Sequence, residues 1–250
     1  MCFHADDVHD ASWLEPLVVA RWPGYDVAFP DVRRRLYEPY ACVSSARLAE
    51  TAVRATARPG SALLVGTTAV SVEASRVVAR SADGATRELT AHAVIDARGP
   101  DRASVARAGW QKFVGQEVRL AAPHGLDRPL LMDACVPQHD GFRFMYVLPL
   151  APDRVLVEDT AFSDTTHLDA AALRASIASY AAARGWTIAE VVREETGILP
   201  LPWEYDPPAI AAPLVAGAIV RLGLTAPGRW RRRGFAIPGR VVEVADVPRL

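Results

Sequence analysis

Two adjacent acidic pairs, one charged strand and one aromatic run carry the chemistry open to this chain. The segment RVLVEDT (Arg154–Thr160) sets Glu158 and Asp159 behind the apolar run 155–157. On an extended strand, neighbouring residues face opposite sides, so the two carboxylates meet different surroundings. A carboxyl group leaving an apolar strand is favoured in its neutral form by desolvation and can serve as a general acid. The same pattern fits a strand end meeting solvent. In KFVGQEVRL (Lys112–Leu120), Glu117 and Arg119 share one face with Phe113 and Gly115. That pair reads as solvated surface or as an ion pair in a pocket. Glu194 and Glu195, in REETGILPL, again fall on opposite faces of a regular strand.

In FRFMYVLPL (Phe142–Leu150), Phe142, Phe144, Tyr146 and Leu148 take one face, and Arg143, Met145 and Val147 the other. Such an aromatic wall can line a site for a long apolar substrate or pack against a helix. Aromatic faces also stabilise a cation by about 0.5–2 kcal/mol each. In AVIDARG (Ala93–Gly99), a strand ends in a small residue and a glycine, which lets backbone approach a ligand closely or simply turn.

The elements that must hold these residues follow from periodicity and punctuation. Residues 1–43 read as irregular and aromatic, interrupted by Pro16, Pro23, Pro30 and Pro39. A helix is expected from about Ser45 to Ala57, capped by Ser44 or Ser45 and stopped by Pro59-Gly60. Short strands are expected at 62–65, 69–73, 76–81, 86–90 and 92–97, with Asp83-Gly84 as a hairpin turn. A second β block covers 112–120, 129–136, 142–150 and 154–161. A helix from about Leu168 to Arg184, with Thr166 and Asp169 resembling a capping box and Gly185 as stop, precedes a strand over 190–201. The mixture is α+β, mostly antiparallel, with few helices.

Composition removes several classes. The chain has 250 residues, half of them hydrophobic, and a net charge of −1, so no global field recruits nucleic acid. All basic residues but Lys112 are arginine, which marks coding bias rather than a nucleic-acid signal. Cys2, Cys42 and Cys135 lie far apart and the six histidines lack ligand spacing, so neither a structural zinc site nor any other metal centre is expected. Glycine-rich phosphate loops, the nucleophile elbow and HExxH are absent. No apolar run reaches membrane-spanning length. Residues 207–242 hold six arginines and no acid, which reads as a solvated terminus or a contact with an anionic membrane surface.

Nine segments in order resemble the bacterial lycopene β-cyclase family of flavin-dependent carotenoid cyclases. They are FHADD (Phe3–Asp7), WLEPLV (Trp13–Val18), RWPGYDVAFP (Arg21–Pro30), YACVSSARLAE (Tyr40–Glu50), VIDARG (Val94–Gly99), GWQKFVGQEVRL (Gly109–Leu120), PLLMDACVPQHDGFRFMYVLPL (Pro129–Leu150), RVLVEDT and REETGILPL (Arg193–Leu201). The resemblance implies an FAD-dependent hydroxylase-like fold of α/β and α+β parts with a mixed, mostly antiparallel substrate sheet. It divides the chain into an FAD-binding part with a β-meander (1–109), a substrate sheet with one helix (110–201) and a divergent segment returning to the FAD part (202–250). It implies acid-initiated cyclisation of lycopene ends to β-rings without net redox change, dependent on reduced FAD with NAD(P)H as reductant.

The family's acidic motif matches Val157–Thr160, so Glu158 becomes the candidate proton donor, with Asp159 and Glu117 as further catalytic candidates. Asp133, Phe142, Arg143, Phe144, Tyr146 and Glu195 become pocket candidates, and Asp96, Arg98, Gly99 and Gly217 cofactor candidates. The family opens with a strand, a glycine-rich turn and a helix that hold the FAD pyrophosphate. This chain starts at MCFHADD, after that βαβ unit, and stops at Leu250 without a helical tail, so truncation at both ends is expected. A cytoplasmic chain with at most peripheral membrane contact follows. An inactive fragment and another lipid-acting flavoprotein hydroxylase or reductase are the alternatives.

Overall fold

A computed structural model of the chain describes residues 2–4, 14–96, 98, 108–139, 141–202, 215–216 and 219–221. In chain order the elements are β1 (Cys2–His4), a 3-10 turn (Glu15–Leu17), β2 (Val18–Trp22), β3 (Tyr25–Phe29), β4 (Val32–Leu36), β5 (Tyr40–Val43) and α1 (Ser45–Thr56). Then come β6 (Thr67–Val72), β7 (Arg76–Ser81), β8 (Thr86–Thr90), β9 (Val94–Asp96), β10 (Ala108–Leu120), β11 (Leu130–Asp133), β12 (Phe142–Ala151) and β13 (Arg154–Ser163). Helix α2 (Ala170–Ala183), β14 (Ile188–Pro202), β15 (Val215–Ala216) and β16 (Ile219–Arg221) complete the series.

Contacts divide the chain into two units, one formed by residues 1–48 and 107–203, the other by 49–106 and 204–250. The first holds a seven-stranded sheet of order β14-β10-β13-β12-β11-β3-β4 and a small sheet of order β1-β5-β2. Neighbours pair antiparallel throughout, apart from the parallel β11–β3 junction. The second unit holds the meander β6-β7-β8 and the sheet β15-β16-β9, in which β16 and β9 run parallel.

Alternation divides the large sheet into two faces. One face packs on α2: Val114, Val118, Met145, Val147, Val155 and Val157 close around Ile177. Asp169 caps α2 by accepting from the Ala172 amide at 3.0 Å, and Gly185, with φ of 72°, takes the left-handed conformation that ends it. At one end of the opposite face, Leu148 and Leu156 join Trp22, Tyr25, Tyr40 and Cys42 in a second cluster.

The helix-side face also buries an ion pair. Arg143 donates from Nε to Asp159 Oδ1 at 2.7 Å and from Nη2 to Oδ2. Its Nη2 also donates to Ser176 Oγ on α2, and Nη1 to the Pro137 carbonyl at 2.9 Å. Gln138 completes the knot, donating from Nε2 to the Arg143 carbonyl at 2.8 Å and accepting from its amide at 2.9 Å. The guanidinium thus ties β12, β13, α2 and the loop before β12 together.

Several sequence expectations change here. The described residues among 1–43 are not irregular: they supply β1 to β5 and the turn before β2. Their strands are three to five residues long, too short for a clear period, and the prolines lie between or beside them. Residues 62–65 are not a strand; that stretch is loop and turn, with Val65 80% exposed. Glu158 and Asp159 lie in the middle of β13 rather than at its end, because pairing to β10 and β12 continues to Ser163 and Phe162. Asp169 itself caps α2, so the expected start at Leu168 moves inward.

Two substitutions test this packing. Ile177→Ala, at a fully buried position, is expected to cost about 2–5 kcal/mol in urea unfolding. Arg143→Met strands the Asp159 carboxylate and is expected to cost about 3–5 kcal/mol, whereas Arg143→Met with Asp159→Leu recovers most of that loss.

Candidate active site

The sheet face away from α2 collects Glu158, Glu117, Glu195 and the aromatic candidates of β12. Strand register sets its side chains in rows. Tyr146, Glu158, Gly115 and Glu195 form one row across β12, β13, β10 and β14. Phe144, Thr160, Phe113 and Gly197 form the next. Leu148, Leu156, Glu117 and Arg193 flank the first row on its other side.

Glu158 is half-buried in the middle of this face. Thr160 Oγ1 donates to its Oε1 at 2.7 Å. Its side chain leans over Gly115, where a Cβ would stand 3.3 Å from Oε2 and 3.5 Å from Cγ. Any side chain at 115 would press on that carboxyl. Gly197 has the same function in the adjacent row: the Phe113 ring lies across it, and a Cβ there would come within 2.3 Å of the ring. Burial raises the Glu158 pKa above the usual carboxylate range, with the Thr160 hydrogen bond opposing it. The charges of Glu195 and Asp159 add to the upward shift.

Aromatic groups flank the carboxyl on both sides. Phe144 meets Phe142 at 5.8 Å and Phe162 at 5.6 Å between ring centres. Phe142 remains 39% exposed, so this side of the wall is open. On the other side the Tyr146 hydroxyl meets that of Tyr40 at 3.0 Å, and Tyr40 stacks on Trp22. Burial pushes the Tyr40 phenol up to about 12 and raises Tyr146 as well, so both stay protonated near neutrality.

The remaining candidates divide between this face and others. Glu117 accepts from Arg154 Nη2 and lies 3.6 Å from Arg193 Nε, while Arg193 Nη1 donates to Glu195 at 2.9 Å. This ladder of alternating charges ends beside Glu158. Asp159 and Arg143 face α2, as does Asp133, which accepts from the Tyr180 hydroxyl at 2.8 Å and from Arg184 Nη2 at 3.0 Å. Glu194 also faces α2, held down to about 2 by its bonds from Arg174 and Gln116. Asp96 and Arg98 lie in the second unit. Arg98 donates to the buried Asp96 carboxylate from Nε and Nη2, both at 2.9 Å. Gly99, Gly217 and most of the arginine-rich stretch 207–242 lie outside the described residues.

Sequence reasoning missed Thr160, Phe162, Gly115 as the seat of Glu158, and Tyr40. Thr160 and Phe162 were open to it, two and four residues beyond Glu158 on one strand face. Tyr40 carried no such signal, because it reaches the site from a separate sheet.

The raised proton affinity of Glu158 has a stability consequence. Folding strengthens proton binding here, so the contribution is present below the unfolded carboxylate range and lost as pH rises through the raised folded value. Glu158→Gln is therefore expected to raise the thermal midpoint near neutral pH, with the difference fading in acid. A pH series of melting curves checks this.

Comparison with known proteins bears on family and fold. The family model described as "Lycopene cyclase protein" matches residues 2–228. A lycopene beta-cyclase of Pseudescherichia vulneris is 41% identical over 255 residues, covering 99% of this chain and 63% of that protein. Another, of Pantoea ananas, is 40% identical over 248 residues, covering 98% and 62%. The chain therefore spans about three-fifths of the length of these curated relatives. Among solved structures, a geranylgeranyl bacteriochlorophyll reductase-like protein of Thermoplasma acidophilum superposes with a TM-score of 0.58 at 13% identity, over 89% of this chain and 58% of that one. A flavin-dependent brominase gives 0.56 at 12% identity, over 86% and 58%. These neighbours share the fold expected from the sequence. With the family model matching most of the chain and relatives near 40% identity, this chain belongs to the lycopene cyclase family.

Proposed function

We propose that this chain cyclises the linear ends of lycopene to β-rings, with Glu158 as the proton donor. The observation that carries the reading is a half-buried carboxyl of raised proton affinity, set in an aromatic sheet face. Oε1 accepts from Thr160, which leaves Oε2, over Gly115, as the oxygen to bear the proton. Transfer of that proton to a terminal carbon–carbon double bond creates a carbocation. Attack by a neighbouring double bond closes the ring, and loss of a proton from an adjacent carbon, back to the Glu158 carboxylate, restores neutrality and the acid. No electrons enter or leave.

The chain's own residues supply the rest. Phe144, Phe162 and Tyr146 present apolar and π surface to a cation, each face contributing about 0.5–2 kcal/mol. Phe142 extends this wall toward solvent. Glu195, partly neutralised by Arg193, raises the Glu158 pKa further. Asp159, Arg143 and Asp133 act from the far side of the sheet as positioning residues, and Glu117 orders the ladder that ends at Glu195.

Reduced FAD is the cofactor of this reading, with NAD(P)H keeping it reduced, and the flavoprotein-like fold supports it. The described part of the second unit fits only its margin. The parallel strands β9 and β16 offer carboxyl ends of the kind that face ligands in such sheets. The Asp96 carboxylate there is already bonded by Arg98, and the described residues at that end include no helix N-terminus to hold a pyrophosphate. Contact with a bilayer, where lycopene dissolves, is peripheral in this proposal. Among the described residues no helix is long and apolar enough to cross a membrane.

The test supplies the chain with FAD, a reductant and lycopene in liposomes, and follows products by chromatography and mass. A cyclised isomer of unchanged mass is expected, and Glu158→Gln should lower its rate by about 10²–10⁴-fold while leaving flavin retention unchanged. Undiminished cyclisation by that variant would remove Glu158 from the role. A product gaining oxygen or hydrogen would replace this reading with a hydroxylase or a reductase. No product from a folded chain would overturn the assignment of activity to it.

A further inference from the structure

We propose that Cys2 and Cys42 form a reversible dithiol–disulfide site that exchanges with glutathione-type disulfides. The pair is independent of the cyclase reading. Cys2 and Cys42 stand directly opposite each other on the antiparallel strands β1 and β5. Directly opposed residues have Cα atoms about 4.5–5.5 Å apart, within the roughly 4.4–6.8 Å that a disulfide spans. Opposed side chains share a face, and both cysteines pack in the cluster that includes Tyr146.

The two sulfurs differ in a way that assigns their roles. Cys2 is partly exposed, while Cys42 is buried among Trp22, Tyr25 and Tyr40. The neighbouring Cys42 thiol draws Cys2 down to about 7, and the neighbouring Cys2 raises Cys42. Cys2 is therefore the attacking thiolate and Cys42 the thiol that resolves the mixed disulfide. The Cys2 thiolate attacks one sulfur of oxidised glutathione, breaking its S–S bond and expelling a glutathione thiolate. Cys42 passes its proton to that thiolate, attacks the Cys2 sulfur and expels the second glutathione thiolate. Two protein thiols are oxidised and one glutathione disulfide is reduced to two thiols. The product would pin β1 to β5 beside the Tyr40–Tyr146 contact. Cys135, exposed and elsewhere in the sheet unit, is an internal control.

The experiment incubates the reduced 250-residue chain with oxidised glutathione in native buffer. Acid quenching, digestion and mass mapping follow. The Cys2–Cys42 linkage is expected to exceed either linkage to Cys135 by about tenfold, because the native strands hold the pair at high effective concentration. It should reverse with dithiothreitol, and in urea the three pairings should approach equal yield. In Cys42→Ser, Cys2 should keep glutathione as a stable adduct. Phenylarsine oxide, which bridges closely spaced thiols, should bind the reduced chain with one equivalent held by Cys2 and Cys42, and lose that binding in Cys42→Ser. Equal yields of the three pairings in native buffer would overturn the proposal. So would a stable glutathione adduct on Cys2 of the unsubstituted chain, or arsenical binding that survives Cys42→Ser.

Discussion

The buried pair of Arg143 and Asp159 governs the direction of every side chain on β13. With Asp159 drawn toward α2 by two bonds from one guanidinium, the two-residue period of the strand sends Glu158 to the other face. A slip of one residue would trade them, placing Glu158 among Met145, Val147 and Ile177 and Asp159 among the aromatic groups. Hydrophobic alternation resists that slip, but Val155 and Leu156 are both apolar and buried. The charged pair thus adds to the register information that the apolar residues on this strand carry. A buried pair of this kind is a weak source of net stability, since desolvation consumes most of its attraction. Its contribution here is to the choice of face.

The sheet thereby separates two electrostatic environments by one backbone thickness. Toward α2, Asp159, Asp133 and Glu194 are each bonded to an arginine. Toward the aromatic face, Glu158 has a hydroxyl partner and no arginine bond among the contacts described. The same residue type is held ionised on one side, as Glu194 is, and pushed toward neutrality on the other, as Glu158 is. Gly115 and Gly197 belong to this arrangement, because they give Glu158 and Phe113 room to lie across the neighbouring strand.

Much of this was legible in the residues. The alternation in FRFMYVLPL assigned Phe144 and Tyr146 to one face and Arg143 to the other. The Asp83-Gly84 turn placed β7 and β8 at their observed bounds. What stayed hidden depends on contacts between distant segments. Arg143 and Asp159 are sixteen residues apart, a separation that carries no periodic signal and becomes a contact only through the β12–β13 register. Tyr40 reaches Tyr146 across more than a hundred residues. The first strands escaped because their order comes from pairing and from the cluster around Trp22, not from a pattern within each short run.

The source of the proton affinity at Glu158 determines how it responds to ionic strength. Burial is the main cause of the upward shift, and the charge of Glu195 is a smaller one. Glu195 is 42% exposed and already shares Arg193. Added salt screens exposed charges over about 8–10 Å at physiological strength, but it leaves the desolvation of a buried carboxyl unchanged. The acid on this face therefore keeps its affinity across the range of salt that would reorder the surface ladder beside it.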